Sequence, residues 1–174
     1  TATTVGLVNQ EGARAFFHQT GASKEAFENP IEFRPSLISG CSHFHLANIY
    51  SLPHMRLHAE ETLVRARRAG LTTSLDTGWD SKGEWMRVAA PCLPHLDLLF
   101  VNREEARLLT GMAHHAGAAA HFRSLGVSTV VVKLGSQGCA LYSGEHSLVI
   151  PGYVVPAVDS TGAGDCFVGG FLSA

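Results

Sequence analysis

Charge is scarce in this chain. Of its 174 residues only 16% are Asp, Glu, Lys or Arg, the formal net charge is −2 and the isoelectric point is near 6.5. Such a balance offers no basic surface to attract nucleic acid or an anionic membrane. No apolar run approaches the ~20 residues of a membrane-spanning helix, and no basic, apolar leader opens the given residues. Cysteine pairs are absent too: Cys41, Cys92, Cys139 and Cys166 stand far apart with no C-x-x-C spacing, which fits reduced thiols in a cytoplasmic protein. Two phosphate fingerprints are missing. There is no G-x-x-x-x-G-K-[ST] and no G-x-G-x-x-G, so neither a P-loop nor a dinucleotide motif is on offer.

Apolar residues, at 45% with a mean hydropathy of +0.11, are what the chain has instead. That suggests strands buried on both faces, in a chain long enough for one domain with a sizeable core. Histidine is also plentiful, with ten. His43 and His45 would share a strand face, and His54 and His58 a helix face. No Cys, Asp or Glu joins them at ligand spacing, so packed or solvated histidines are preferred to a metal site.

Taken in order, Thr4–Asn9 and Ala13–Phe17 read as a β-hairpin about Glu11-Gly12. An irregular stretch through Pro30 and Pro35 follows. Ser42–Ile49 then reads as a strand, and Pro53–Ala69 as a helix with Pro at its start and Gly70 past its end. Leu71–Leu75 is a strand ending in Asp76, Glu84–Ala90 a helix stopped by Pro91, and Asp97–Val101 a strand. Helices over Arg103–Thr110 and His114–Leu125, a strand over Val127–Leu134 and a hairpin of Cys139–Tyr142 with His146–Ile150 complete the body. Alternating strands and helices argue for a doubly wound, mainly parallel sheet with helices on both faces. Ligands of such sheets bind at the carboxyl ends of the strands, here Asp76, Asn102 and the Lys133–Gly138 turn.

The tail carries the most chemistry. Asp159-Ser160-Thr161-Gly162-Ala163-Gly164-Asp165 leads into an apolar run at helical spacing, with Thr161 or Gly162 as N-cap. The first amides of a helix are unpaired and its dipole is positive there, so Gly162, Ala163 and Gly164 can hold an anion with no side chain in the way. Asp165 places a carboxylate in the same turn. An anion hole beside a base suits phosphoryl transfer, and a capping Asp with close helix packing is the plainer alternative. At the other strand end, Asn102 and Glu105 are three apart, the spacing of a capping box and equally of an amide and a carboxylate holding the water shell of Mg²⁺. Leu134-Gly135-Ser136-Gln137-Gly138 turns tightly enough for a flat or phosphorylated ligand to approach its backbone, although hairpin turns use glycine anyway. Asp76 and Asp80 could touch substrate or metal, but an N-cap for the next helix is the preferred reading.

Asn-x-x-Glu after a strand, a Val-rich strand into Leu-Gly-x-x-Gly, then Asp-x-Thr-Gly-Ala-Gly-Asp opening a helix resembles the ribokinase-like (pfkB) carbohydrate kinase family. The resemblance covers nearly all of the chain and is most specific over Asp159 to Leu172. It implies an ATP-dependent kinase with Asp165 as the base and the Gly162, Ala163 and Gly164 amides as the anion hole for the γ-phosphoryl group. Asn102 and Glu105 would organise Mg²⁺ and phosphate through water, Lys133, Gly135 and Gly138 would line the nucleotide, and Asp159 with Thr161 would sit where many members bind a monovalent cation such as K⁺. The acceptor would be a sugar-like small molecule, and a homodimer is an open option.

Two departures from the family pattern stand out. Relatives carry a sugar-gripping region upstream and an adenine-closing segment downstream, so the expectation is a partial domain, with 1–20 as a hairpin at a lid edge and 42–174 as the nucleotide-binding and catalytic part. Where sugar-specific relatives often carry Asp-x-Asn-x-Arg, this chain has Asp76-Thr77-Gly78-Trp79-Asp80. That leaves a nucleoside or vitamin-type kinase of the same fold, or a non-catalytic nucleotide- or sugar-binding relic, as alternatives to a sugar kinase. After the kinase and the relic, a metal-dependent protein built on the histidines is a distant third.

Overall fold

The computed structural model describes residues 1–9, 14–157 and 159–174. A hairpin of β1 (Thr3–Val8) and β2 (Arg14–Gln19) forms its own antiparallel sheet, in register from Thr3 opposite Gln19 to Val8 opposite Arg14. The expected Glu11-Gly12 turn and Ala13 lie outside the described residues. After a short helix α1 (Pro35–Ile38) comes a sheet of six strands in sequence order: β3 (His43–Ala47), β4 (Thr72–Asp76), β5 (Leu98–Asn102), β6 (Thr129–Lys133), β7 (Cys139–Ser143) and β8 (His146–Ile150). β3 to β6 are parallel, and β7 and β8 return antiparallel as the expected hairpin.

The crossover helices α2 (Met55–Arg68), α3 (Met86–Ala89), α4 (Arg103–Thr110) and α5 (His115–Ser124) share one face. A sheet that grows strand by strand in one direction puts its crossovers on one side. There Leu99, Val101, Val130 and Val132 meet Met55, Leu63, Leu93, Ala106 and Phe122 in the main core. The intervening residues Phe100 and Val131 point the other way, as the period of a strand requires, and are covered by Val168, Phe167 and Phe171 of α6 (Ala163–Leu172). The main core is therefore thick and the α6 side thin.

Two elements differ from the sequence expectation. β3 stops at Ala47 because Asn48 turns to a positive φ of 65°, where its Oδ1 accepts from the amides of Tyr50 and Ser51. The helix expected over Glu84–Ala90 is only Met86–Ala89, and the chain continues past Pro91 as a tighter 3₁₀ segment, Ala90–His95. Pro91 costs that segment nothing because the first amides of a helical turn lack partners in any case.

Candidate active site

The carboxyl ends of β4, β5 and β6 supply Asp76, Asn102 and Lys133 to one edge, the last two directly paired in register. Lys133 reaches across β5 to Asp76, with Nζ 2.5 Å from Oδ2 and side chains 16% and 11% exposed. Asp76 is thus a counter-ion and not the helix cap preferred from sequence. The cap role falls to Asp80, whose Oδ1 accepts from the Lys82 amide and whose Oδ2 accepts from those of Glu84 and Trp85. Arg56 binds the same carboxylate at 2.7 Å and also donates to Glu84. Burial pushes the Asp80 carboxyl up, but the Arg56 bond and the Trp85 and Lys82 amides outweigh it and hold the group below the usual carboxylate range.

Asn102 and Glu105 form the capping box of α4: Glu105 N donates to Asn102 Oδ1 and Asn102 N to Glu105 Oε2, both at 2.8 Å. Glu105 is only 6% exposed. Burial raises its carboxyl above the ordinary value, Asp76 adds to this, and the Asn102 amide, Lys133 and the Thr77 hydroxyl oppose it. Thr77 Oγ1 is itself buried with no partner at ordinary hydrogen-bond geometry. The arrangement is a cap whose charge is not needed for capping, since Glu and Gln serve that position alike.

The Gly135–Gln137 turn follows β6 and is tied to α4 by Arg103, which donates to Gln137 Oε1 at 2.6 Å. Its two glycines differ. A Cβ at Gly135 would meet open space, whereas one at Gly138 would stand 1.9 Å from the Ile150 carbonyl oxygen. Gly138 is therefore required by the chain's own backbone, whereas Gly135 faces open space.

The tail arrives at this edge. A Cβ on Gly164 would lie 3.4 Å from Lys133 Nζ, so the start of α6 stands over the Asp76–Lys133 pair. Gly162 is the N-cap, at φ 77°, while Asp159 Oδ1 accepts from the amide and hydroxyl of Thr161, both at 2.8 Å. The Ala163 amide donates to the Ser160 carbonyl oxygen at 3.2 Å. Of the three expected anion-hole amides, this leaves those of Gly162 and Gly164 for a ligand. Asp165 is exposed in the first turn of α6. No group of three or more His, Cys, Asp or Glu that could hold a metal ion occurs among the described residues, and no described helix is long and apolar enough to cross a membrane.

Sequence reasoning missed the Asp76–Lys133 and Arg56–Asp80–Glu84 pairings and a histidine chain on β3 taken up below. Only the histidines left a signal, as His43 and His45 alternate on a strand.

A mixed α/β sheet, parallel from β3 to β6, thus gathers a helix start with free amides, a carboxylate in its first turn and an ion pair at the carboxyl ends of its strands, the edge at which ligands of parallel sheets bind. The chain belongs to the pfkB family of carbohydrate kinases, whose family model matches residues 1–174. It is 27% identical to aminoimidazole riboside kinase of Salmonella typhimurium, over 99% of this chain and 55% of that protein. It is 33% identical to an ATP-dependent ribose-1-phosphate kinase of Halopiger xanaduensis, over 99% of this chain and 54% of that one. The fold matches that of an E. coli ribokinase-II-type protein solved with ATP and Mg²⁺, with a TM-score of 0.77, 25% identity and coverage of 98% of this chain and 56% of that one. The chain thus spans about half the length of these relatives.

Proposed function

We propose that the chain is the catalytic half of an ATP-dependent phosphotransferase that phosphorylates a hydroxyl of a sugar or a nucleoside-like riboside. In this reading residues 42–174 are the nucleotide-binding and catalytic part and 1–20 a lid edge. The observation that carries it is the meeting of the α6 start with Lys133 and Asp76 at the strand ends, and Asp165 stands in the first turn of that same helix.

Asp165 takes the proton of the acceptor hydroxyl as its oxygen bonds to the γ-phosphorus and the bond to the β-phosphate oxygen breaks. The amides of Gly162 and Gly164 receive the charge on the moving group, and Gly135 lets the nucleotide lie against the turn after β6. A loose phosphoryl transition state needs this positioning and neutralisation more than covalent help. Asn102 and Glu105 fit a Mg²⁺ that keeps several waters. They offer one buried carboxylate and no cage, which is what that ion accepts, and when bound it would screen phosphate charge. Asp159 and Thr161 would serve a K⁺ ion beside the anion hole. The relatives above act on a riboside and on ribose 1-phosphate by name, which keeps the nucleoside-type acceptor beside the sugar.

The test is Asp165→Asn in the full-length protein, assayed with ATP against a panel of sugars and ribosides in K⁺ and in choline salts. A fall in kcat of at least ~10²-fold, with little change in the KM for ATP, is expected. Parental turnover in this variant would remove Asp165 as the base.

A further inference from the structure

On the α6 face of the sheet, β3 and β4 carry a chain of alternating imidazoles and hydroxyls. Thr72 Oγ1 lies 3.0 Å from the Ser42 carbonyl oxygen and 2.8 Å from His43 Nδ1. Ser74 Oγ lies 2.7 Å from His43 Nε2 and 2.7 Å from His45 Nδ1. The registry of the strands produces this, since His43 pairs with Thr72 and His45 with Ser74.

The chain can be polarised in only one direction. A carbonyl oxygen only accepts, so the Thr72 hydroxyl proton goes to Ser42 and Thr72 Oγ1 accepts from His43 Nδ1–H. A neutral imidazole carries one proton, so His43 Nε2 is bare and accepts from the Ser74 hydroxyl. With its proton used, Ser74 Oγ accepts from His45 Nδ1–H. The His45 Nε2 is then bare, and it has no hydrogen-bond partner among the described residues. Burial lowers the pKa of both rings, against the pull of Asp97 on His43 and of Asp76 and Asp165 on His45, which keeps the neutral forms in place. Lys133 and His43 add to the lowering at His45. Register and ring contacts locate the ring: His45 lies opposite Ser74, two residues before Asp76, and Phe100 holds its flank at 6.1 Å and itself meets Phe171 of α6 at 5.3 Å.

We propose that His45 Nε2 accepts a hydrogen bond from a second hydroxyl of the acceptor substrate, so that His45 selects and orients a polyhydroxylated molecule for Asp165. This rests on the phosphotransferase reading above. It gives the acceptor a definite chemistry: a hydroxyl donor must stand near the hydroxyl that is phosphorylated. The side of the edge is consistent with this. The nucleotide turn follows β6, the reacting groups meet over Asp76 and Lys133, and β3 lies on the far side of them from that turn.

The test compares the full-length enzyme with His45→Phe, His45→Gln and Ser74→Ala. His45→Phe keeps a ring against Phe100 but offers no acceptor, and should raise the acceptor KM about 10- to 100-fold while leaving the ATP KM within about twofold. His45→Gln, with an amide oxygen in reach, should recover part of the loss, and Ser74→Ala, which frees the tautomer, should lose about two- to tenfold. Replacing the substrate's second hydroxyl by hydrogen should cost the parent enzyme what His45→Phe costs, and cost His45→Phe nothing further. Imidazole ¹⁵N spectra of the parent should show His45 protonated at Nδ1 alone. A His45→Phe enzyme with parental acceptor KM, or a His45 protonated at Nε2, overturns the inference while the kinase reading stands. A parent enzyme that phosphorylates no alcohol overturns both.

Discussion

Glu105→Gln separates the capping of α4 from the Mg²⁺ role proposed for the same residue. Glu105 is buried and its Oε2 accepts from the Asn102 amide at 2.8 Å. Glutamine keeps that acceptor, and a capping box accepts Gln as readily as Glu. The structural loss should therefore stay within about 0.5 kcal/mol at neutral pH. Glu105→Ala removes the acceptor and leaves a buried amide unpaired, which costs about 1–3 kcal/mol. For a chain of this size that is a drop in Tm of roughly 2–4 °C for each kcal/mol. Activity should behave differently. If the carboxylate holds the water shell of Mg²⁺, losing its charge costs about 10- to 100-fold in either variant, as changes around a metal's outer shell typically do. The pH dependence adds a second reading. Glu105 has its pKa raised in the folded chain, so between the ordinary glutamate value and that higher value the folded state keeps a proton the unfolded state has lost. Its contribution to stability is complete below the ordinary value and lost as pH rises through the folded one. Glu105→Gln should flatten that slope. Thermal melts across pH, read beside kinase rates in varied Mg²⁺, decide the matter. A glutamine variant that melts as early as the alanine variant yet turns over normally would show the charge to be structural and refute the metal role.

Two further outcomes follow from the loop after β4. Asp80→Ala should cost about 3–5 kcal/mol, because it leaves Arg56, itself 6% exposed, with Glu84 and the Tyr50 carbonyl alone and takes the acceptor from the Lys82, Glu84 and Trp85 amides. The Asp80 pKa is depressed, so the stability it adds is present above the unfolded carboxylate value and disappears as pH falls through the folded one; acid melts of the variant should lack that portion. Gly78→Ala should cost about 1–3 kcal/mol, since φ is 69° and a Cβ would meet the Asn48 side chain at 2.7 Å. Asn48 cannot yield easily while it holds the Tyr50 and Ser51 amides, and an unchanged Tm would contradict this packing.

What the sequence made legible was local. The helix over Arg103–Thr110, the capping geometry of Asn102 and Glu105 and the start of α6 all follow from residues within one turn of each other, where spacing alone dictates geometry. The ion pairs were not legible. Asp76 and Lys133 are 57 residues apart, and they meet because β4 and β6 flank β5, with Asp76 level with Phe100 and Lys133 two residues further along, a matter of strand order and register. Arg56 is one of several charges on α2, and nothing in its sequence neighbours announces that Asp80 comes round to it. Gly138 carries a requirement that was equally hidden: a Cβ there would stand 1.9 Å from the Ile150 carbonyl oxygen, twelve residues further along the chain.

The unequal faces of the sheet have a consequence for how competence is acquired. The crossover helices share one large core, whereas α6 is secured by a handful of side chains, with Val168 the one of its residues that is buried. Segments with few buried contacts open at free energies well below that of global unfolding. An opening that lifts α6 would leave β3 to β7 and their helices assembled, with the Asp76–Lys133 pair still in place. It would carry away the amides of Gly162 and Gly164 together with Asp165. Most of the fold can thus stay assembled while the groups proposed above for phosphoryl transfer are separated, so that docking of α6, and not folding of the sheet, would limit the proposed activity.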